Sequence, residues 1–228
     1  MAQLFHSVTL DKDKCKGCIN CIKRCPTQAI RVRDGKANII TDLCIDCGEC
    51  IRICPHHAKK AITDPLSTVK QYEYPIALVP PSFYGQFNNI EDPDIVISAL
   101  KKLGFKDVYD VGRAAELVSE ATRQMLAAGK LKKPVISSAC PAVTRLIRVR
   151  FPSLISRVLQ LVAPVELAAR MAKEKAIEEG CPEEDIGCIF LTPCPAKVTS
   201  IKMPIGTQES LIDAAVAVKD IYPPVLAA

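Results

Sequence analysis

The stretch CKGCINCIKRCP, Cys15 to Pro26, sets four thiols in twelve residues and closes on a proline. Cys15, Cys18 and Cys21 recur at every third position, a spacing that lets one loop curl around a single soft metal centre. Cys25 falls one residue further on, outside that loop. The pattern C-x2-C-x2-C-x3-C-P is the iron–sulfur run whose fourth cysteine ligates the other cluster of a two-cluster protein. Such a run requires a second copy. CIDCGECIRICP, Cys44 to Pro55, repeats the spacing at an offset of 29 residues. The assignment therefore crosses over: Cys15, Cys18, Cys21 and Cys54 hold cluster one, and Cys44, Cys47, Cys50 and Cys25 hold cluster two.

Two other uses of these thiols fit less well. Paired C-x2-C units also make zinc sites, but zinc takes four ligands, and each half here offers a third evenly spaced cysteine and a Cys-Pro ending. A disulfide framework belongs to secreted chains, whereas MAQLFHSVTLDKDK shows no apolar signal region, so a reducing, cytoplasmic setting is expected. Residues 5–62 resemble the bacterial ferredoxins with two 4Fe-4S clusters, and the resemblance implies an α+β ferredoxin-like domain over 1–62. Residues 1–74 carry twelve Lys and Arg against eight Asp and Glu. Two anionic clusters offset that surplus, and no aromatic stacking platform accompanies it, so a nucleic-acid partner is not expected.

The rest of the 228 residues is long enough for a core of its own. TDPLSTVKQYEYP, 63–75, is polar with a proline near each end and reads as a linker. From 76 to 228 strand-like and helix-like stretches alternate. PIALVPPS holds a short apolar run, 91–105 has helical spacing, 106–112 alternates like a strand, and 113–130 is an amphipathic helix stopped at Gly129. PVISSA (134–139) then reads as a buried strand, 141–151 and 163–180 as helices, and 186–193 as another strand. Such alternation predicts an α/β domain with a largely parallel sheet, and sites in such sheets lie where strands end. Arg157 and Glu166 interrupt the longest apolar candidate, so no run reaches the roughly 18 residues of a membrane span.

Two predicted strand ends carry the same tripeptide, Cys140-Pro141-Ala142 and Cys194-Pro195-Ala196. Proline in a first helical turn forfeits only an amide that had no partner. A cysteine just before it faces the positive end of a helix, which favours the thiolate a metal needs. One such cysteine is most simply a small apolar core residue; two matched ones in a chain already equipped for iron read as ligands. Cys181 and Cys188 lack this context and read as ordinary thiols. Gly17 and Gly48 sit at non-equivalent places in the repeat and read as local turn formers.

SSACPAVTRLIRVRFPSLI (137–155) resembles the first signature of the large subunit of iron-only (FeFe) hydrogenases, T-S-C-C-P-x-W in that family. LTPCPAKVTS (191–200) resembles the second, M-P-C-x-x-K-K-x-E, and GFKDVYDVGRAAELV is similar to the segment ahead of the first. The similarity runs from about residue 75 to the C-terminus. It implies that Cys140 and Cys194 ligate the cubane of an H-cluster, a 4Fe-4S unit joined to a two-iron unit bearing CO and cyanide. It also implies that Lys197 donates a hydrogen bond to a cyanide, a task suited to a compact cation. The ferredoxin clusters would then feed or drain electrons.

The departures are equally informative. Ala139 stands where active members have a proton-carrying cysteine, and Ser200 where the second signature ends in a proton-relaying glutamate. No C-x3-C in a glycine-rich stretch follows Cys194, so the H-cluster is expected to be incomplete as quoted, with a truncated chain, ligands from elsewhere or a vestigial site as the three explanations. Two functions follow. One is the N-terminal part of a sensory-type, low-turnover iron-only hydrogenase that handles H2 and signals to a downstream domain. The other is a ferredoxin-type electron-transfer module with a catalytically empty hydrogenase-like domain, docking on a redox protein. His6, His56 and His57 are the only histidines, and His56-His57 reads as a solvent-facing pair beside a cluster. Neither a serine-nucleophile elbow nor a phosphate-binding loop is present.

Overall fold

The computed structural model describes residues 5–88, 92–205 and 209–228. In chain order the elements are β1 (Val8–Leu10), α1 (Asn20–Arg24), β2 (Ile30–Arg33), β3 (Lys36–Ile39), α2 (Glu49–Arg52), β4 (Lys59–Ala61), β5 (Tyr74–Val79), α3 (Pro81–Tyr84) and α4 (Asp94–Lys102). They continue with β6 (Asp107–Asp110), α5 (Val111–Ala127), α6 (Pro141–Arg150), α7 (Pro164–Glu178), β7 (Ile186–Thr192), α8 (Pro195–Lys202), β8 (Ala214–Ala217) and α9 (Val218–Ala227). The chain forms two compact units that alternate along the sequence. One comprises Met1–Thr63, Pro134–Leu159 and Cys194–Gln208; the other comprises Asp64–Lys133, Gln160–Pro193 and Glu209–Ala228.

In the first unit the repeat is visible in the backbone. β1 pairs antiparallel with β4, and β2 with β3, as two separate ribbons. Advancing 29 residues carries α1 onto α2 and β2 onto β4. It also carries the two left-handed residues Gly17 (φ 68°) and Gln28 (φ 56°) onto Asp46 (φ 52°) and His57 (φ 48°). Gly17 occupies its place for two reasons: the positive φ, and a close approach that would set an added Cβ 2.4 Å from the Gly35 carbonyl oxygen. Gly17's structural counterpart is thus Asp46 rather than a glycine. Beyond the repeat, α6 and α8 each begin at the proline of a Cys-Pro-Ala tripeptide, with Cys140 and Cys194 as extended N-cap residues.

The second unit is built on a four-stranded parallel sheet in the order β6-β5-β7-β8. β5 and β7 are buried along nearly their whole length, which is why they read as unbroken apolar runs instead of alternating ones. Ala77, Val79, Ile189, Leu191 and Val216 pack with Phe83, Val96, Leu100, Phe105 and Ile221 into one core. Cys188 lies in β7 with its S–H directed at the Ala169 carbonyl of α7, 3.7 Å away, and burial pushes its thiol up to about 12. The expected helices appear as α4, α5, α6 and α7; residue 91, where the first was expected to begin, lies outside the described residues.

PVISSA is a correction. It is not a buried strand of the sheet: only Ile136 makes a bridge, to Val158, and its neighbours are half-buried or exposed. Two apolar residues between Pro134 and a pair of serines do not sustain a ladder. The segment 63–75 carries structure of its own. Asp64 donates its amide to Ala215 and accepts the Ala215 amide on Oδ2 at 2.8 Å, a 3-10 turn spans Leu66–Gln71, and β5 begins at Tyr74.

Gly187 in β7 gives one direct test of this packing, because an added Cβ would lie 2.2 Å from the Tyr72 ring. Gly187→Ala is expected to destabilise by about 1–3 kcal/mol, the usual cost of overpacking. Anaerobic chemical denaturation should show a lower midpoint at unchanged slope.

Candidate metal centre

Each half of the repeat wraps one cavity, and each cavity takes its fourth cysteine from the other half. Cys15, Cys18, Cys21 and Cys54 line one space. Cys44, Cys47, Cys50 and Cys25 line a second. The cause is local geometry. Three thiols curl around their own loop, then the short helix α1 or α2 carries the chain past Cys25 or Cys54 and away to the neighbouring space. Backbone amides point at the crossing sulfurs in equivalent pairs: Ala29 N–H to Cys25 Sγ at 3.2 Å, and Ala58 N–H to Cys54 Sγ at 3.3 Å. Ala37 N–H reaches Cys15 Sγ at 3.4 Å.

These contacts divide the thiols by acidity. Burial pushes Cys44 and Cys50 up to about 12, and raises Cys21 and Cys47 as well. At Cys15 and Cys54 burial acts in the same sense, but amide hydrogen bonds outweigh it and hold both below the ordinary thiol value. Buried neutral thiols give up protons when a metal replaces them. Four thiols around one space, with amides aimed at sulfur, make the donor set of a 4Fe-4S cube. The cavities fit that group for a further reason: the Lys59 ammonium lies buried beside the first one, with no hydrogen-bond partner among the described residues. A buried cation is costly unless an anion answers it.

Beside the second cavity lies a network that spacing did not reveal. The Asp46 carboxylate is fully buried, 2.6 Å from His6 Nδ1, 3.0 Å from the Val8 amide it accepts and 3.8 Å from Arg145 Nη1. Cys44 Sγ is 4.0 Å from the same carboxylate. Asp46 was findable by laying the two halves of the repeat over one another, since it stands where the first half has Gly17. Histidine composition alone pointed elsewhere. His56 and His57 are exposed, and His56 lines the edge of the first cavity.

Cys140 is exposed and Cys194 half-buried, each at the start of its helix. Lys197, one turn into α8, brings Nζ to 3.4 Å from the Ala139 carbonyl, so both Cys-Pro-Ala turns and the lysine lie in one neighbourhood. α8 also holds the cysteine repeat. Ser7 donates its hydroxyl to the Pro195 carbonyl at 2.7 Å and its amide to Thr199 Oγ1 at 3.0 Å, and an added Cβ at Gly48 would lie 3.0 Å from the Pro195 ring. The second cysteine loop thus rests on the residue next to Cys194. In this region Cys140 and Cys194 offer two thiols, and a cubane takes four.

Residues 73–223 match the sequence model of a family described as iron only hydrogenase large subunit, C-terminal domain. Residues 7–55 match that of a 4Fe-4S dicluster domain. Among solved structures, the chain is similar to two single-residue variants of FeFe-hydrogenase HydA1 from Chlamydomonas reinhardtii. One aligns with TM-score 0.53 at 20% identity over 69% of this chain and 42% of that one. The other aligns with TM-score 0.51 at 18% identity over 68% of this chain and 44% of that one. The chain thus spans less than half the length of these structures, and at such identity the likeness concerns the fold. Among the described residues no helix is long and apolar enough to cross a membrane.

Proposed function

Because the chain belongs to the iron-only hydrogenase large-subunit family, we propose that it is the electron-carrying N-terminal part of a sensory-type iron-only hydrogenase. It passes electrons between an H-cluster-type site and a cytoplasmic redox partner or downstream signalling domain. Residues 1–62 act as a ferredoxin-like domain with two 4Fe-4S clusters, one on Cys15, Cys18, Cys21 and Cys54, the other on Cys44, Cys47, Cys50 and Cys25. The segment 63–75 leads into the hydrogenase-like domain of 76–228. The observation that carries this reading is the crossing of the cysteine sets, with each cavity lined by three thiols of one half and one of the other.

The clusters supply one-electron redox chemistry when bound. The chain's own residues do the rest. The amides of Ala29, Ala37 and Ala58 direct hydrogen bonds at the ligand sulfurs, the kind of contact that tunes a bound cluster. Cys140 and Cys194 are assigned as two thiolate ligands of an H-cluster cubane, and Lys197 as a donor beside them. An added Cβ at Gly48 would lie 3.0 Å from the Pro195 ring, a proximity that supports the order first cluster, second cluster, H-cluster-type site.

Ala139 and Ser200, where the resemblance leads one to expect a proton-carrying cysteine and a glutamate, favour a second reading: an electron-transfer module whose hydrogenase-like domain is catalytically inactive. One experiment separates them. Full-length protein coexpressed with the maturation enzymes is expected to show infrared bands of metal-bound CO and cyanide beside the iron–sulfur absorbance. Iron–sulfur absorbance without those bands establishes the second reading, and a protein that binds no iron overturns both.

A further inference from the structure

The two halves of the repeat are alike in backbone and opposite in charge. Lys16 and Lys59 line the first cavity, which has no carboxylate among its lining residues; Asp46 and Glu49 line the second, which has no Lys or Arg. Every one of the four is neutral at the matching place in the other half. A shift of 29 residues sets Lys16 against Ile45, Lys59 against Ile30, Asp46 against Gly17 and Glu49 against Asn20. Ile30 and Ile45 are buried in the second half's cavity wall. The difference is therefore one of charge written into a common scaffold.

Resting on the reading that each cavity holds a 4Fe-4S cluster, we propose that the two clusters have different reduction potentials, with the one on Cys15, Cys18, Cys21 and Cys54 the easier to reduce. Reduction adds negative charge to the cluster, so a nearby cation raises its potential and a nearby anion lowers it. Lys59 carries most of the effect. It is 3% exposed, and its Nζ has no hydrogen-bond partner among the described residues. Its charge is thus neither screened by solvent nor spent on another side chain. It acts on Cys15 and Cys21 of the first set and also on Cys50 of the second, so its field reaches both cavities, but it lines only the first. Lys16 is exposed and adds little. The Asp46 carboxylate works on Cys44 in the opposite sense, reduced by His6 and Arg145 at its other edge. Glu49 acts on Cys47 and is itself paired with Arg52.

The test is a mediated potentiometric titration of anaerobically reconstituted protein, with the reduced clusters counted by EPR. The unaltered chain should give two one-electron waves whose electron affinities differ at least tenfold, 59 mV for such a couple. Lys59→Met should lower the higher wave at least tenfold and the lower one by less, whereas Lys59→Arg, keeping the charge, should preserve the separation. Asp46→Asn should raise the lower wave. Should Lys59→Met not take up its iron, Lys59→Gln reads the same quantity. A single wave in the unaltered chain, a higher wave indifferent to the loss of the Lys59 charge, or a larger shift in the lower wave overturns the inference. Iron and sulfide counts taken on the same samples keep the outcomes apart: a protein without clusters defeats the function proposed above, while a loaded protein with equal potentials defeats only the asymmetry.

Discussion

A double variant carrying Cys25→Ala and Cys47→Ala is expected to keep close to half of the iron after anaerobic reconstitution, whereas Cys25→Ala with Cys18→Ala should keep almost none. Both remove two thiols: the first takes one from each run, and the second takes both from the first run. The difference comes from crossing: Cys25 and Cys47 line the same cavity, while Cys18 lines the other. The first pair sacrifices one cluster and the second pair sacrifices both. The unaltered chain should bind about eight irons, the content of two 4Fe-4S clusters. Iron and acid-labile sulfide per chain are the measurements, with the EPR signal of the reduced protein as a check on the surviving cluster. If the two double variants exchanged results, each run would hold its own fourth ligand and the crossed assignment would be lost.

Asp46→Ala should be the most damaging substitution outside the cysteines. It removes the acceptor of the Val8 amide and the partner of His6 and Arg145, all within the interior. Arg145 already has its Nε buried without a hydrogen-bond partner among the described residues. Breaking a buried ion pair from one side costs about 3–5 kcal/mol, because the remaining charge stays buried. Alanine would also inherit a φ of 52°, which Asp tolerates better than Ala because its short polar side chain can hydrogen-bond locally. Asp46→Gly, which adopts this φ freely, should be about 1 kcal/mol more stable than Asp46→Ala. The midpoint of guanidinium denaturation under argon, followed by both cluster bleaching and far-UV circular dichroism, compares the three proteins. Equal midpoints for all three would show that the His6–Asp46–Arg145 network contributes nothing.

How much of this was legible beforehand follows from the kind of signal each feature leaves. The cysteine runs were readable because metal ligation demands fixed spacing, and the same holds for the two Cys-Pro-Ala turns, whose prolines mark the starts of α6 and α8. β5 and β7 announced themselves as apolar runs. β8 did not, because Ala214–Ala217 is four small residues with no bulk to distinguish strand from helix. α9 hid behind Pro223 and Pro224, which local propensity sets firmly against a helix. PVISSA failed in the other direction: Val135 and Ile136 suggested a strand that tertiary pairing does not supply. The Asp46 network and the buried Lys59 left no local mark at all. A carboxylate in a cysteine loop and a lysine in a short strand look solvated until their long-range partners, His6, Arg145 and the first cavity, are known.

Borrowing a closing ligand across the repeat also constrains the order of assembly. Ribosomes release the N-terminal half first, at about 5–20 residues per second, yet the earlier loop cannot be sealed until Cys54 has emerged. Any iron delivered to the nascent chain must wait for the whole duplicated segment. Under the proposed crossed assignment, a cut between the copies would leave two fragments that each lack one ligand.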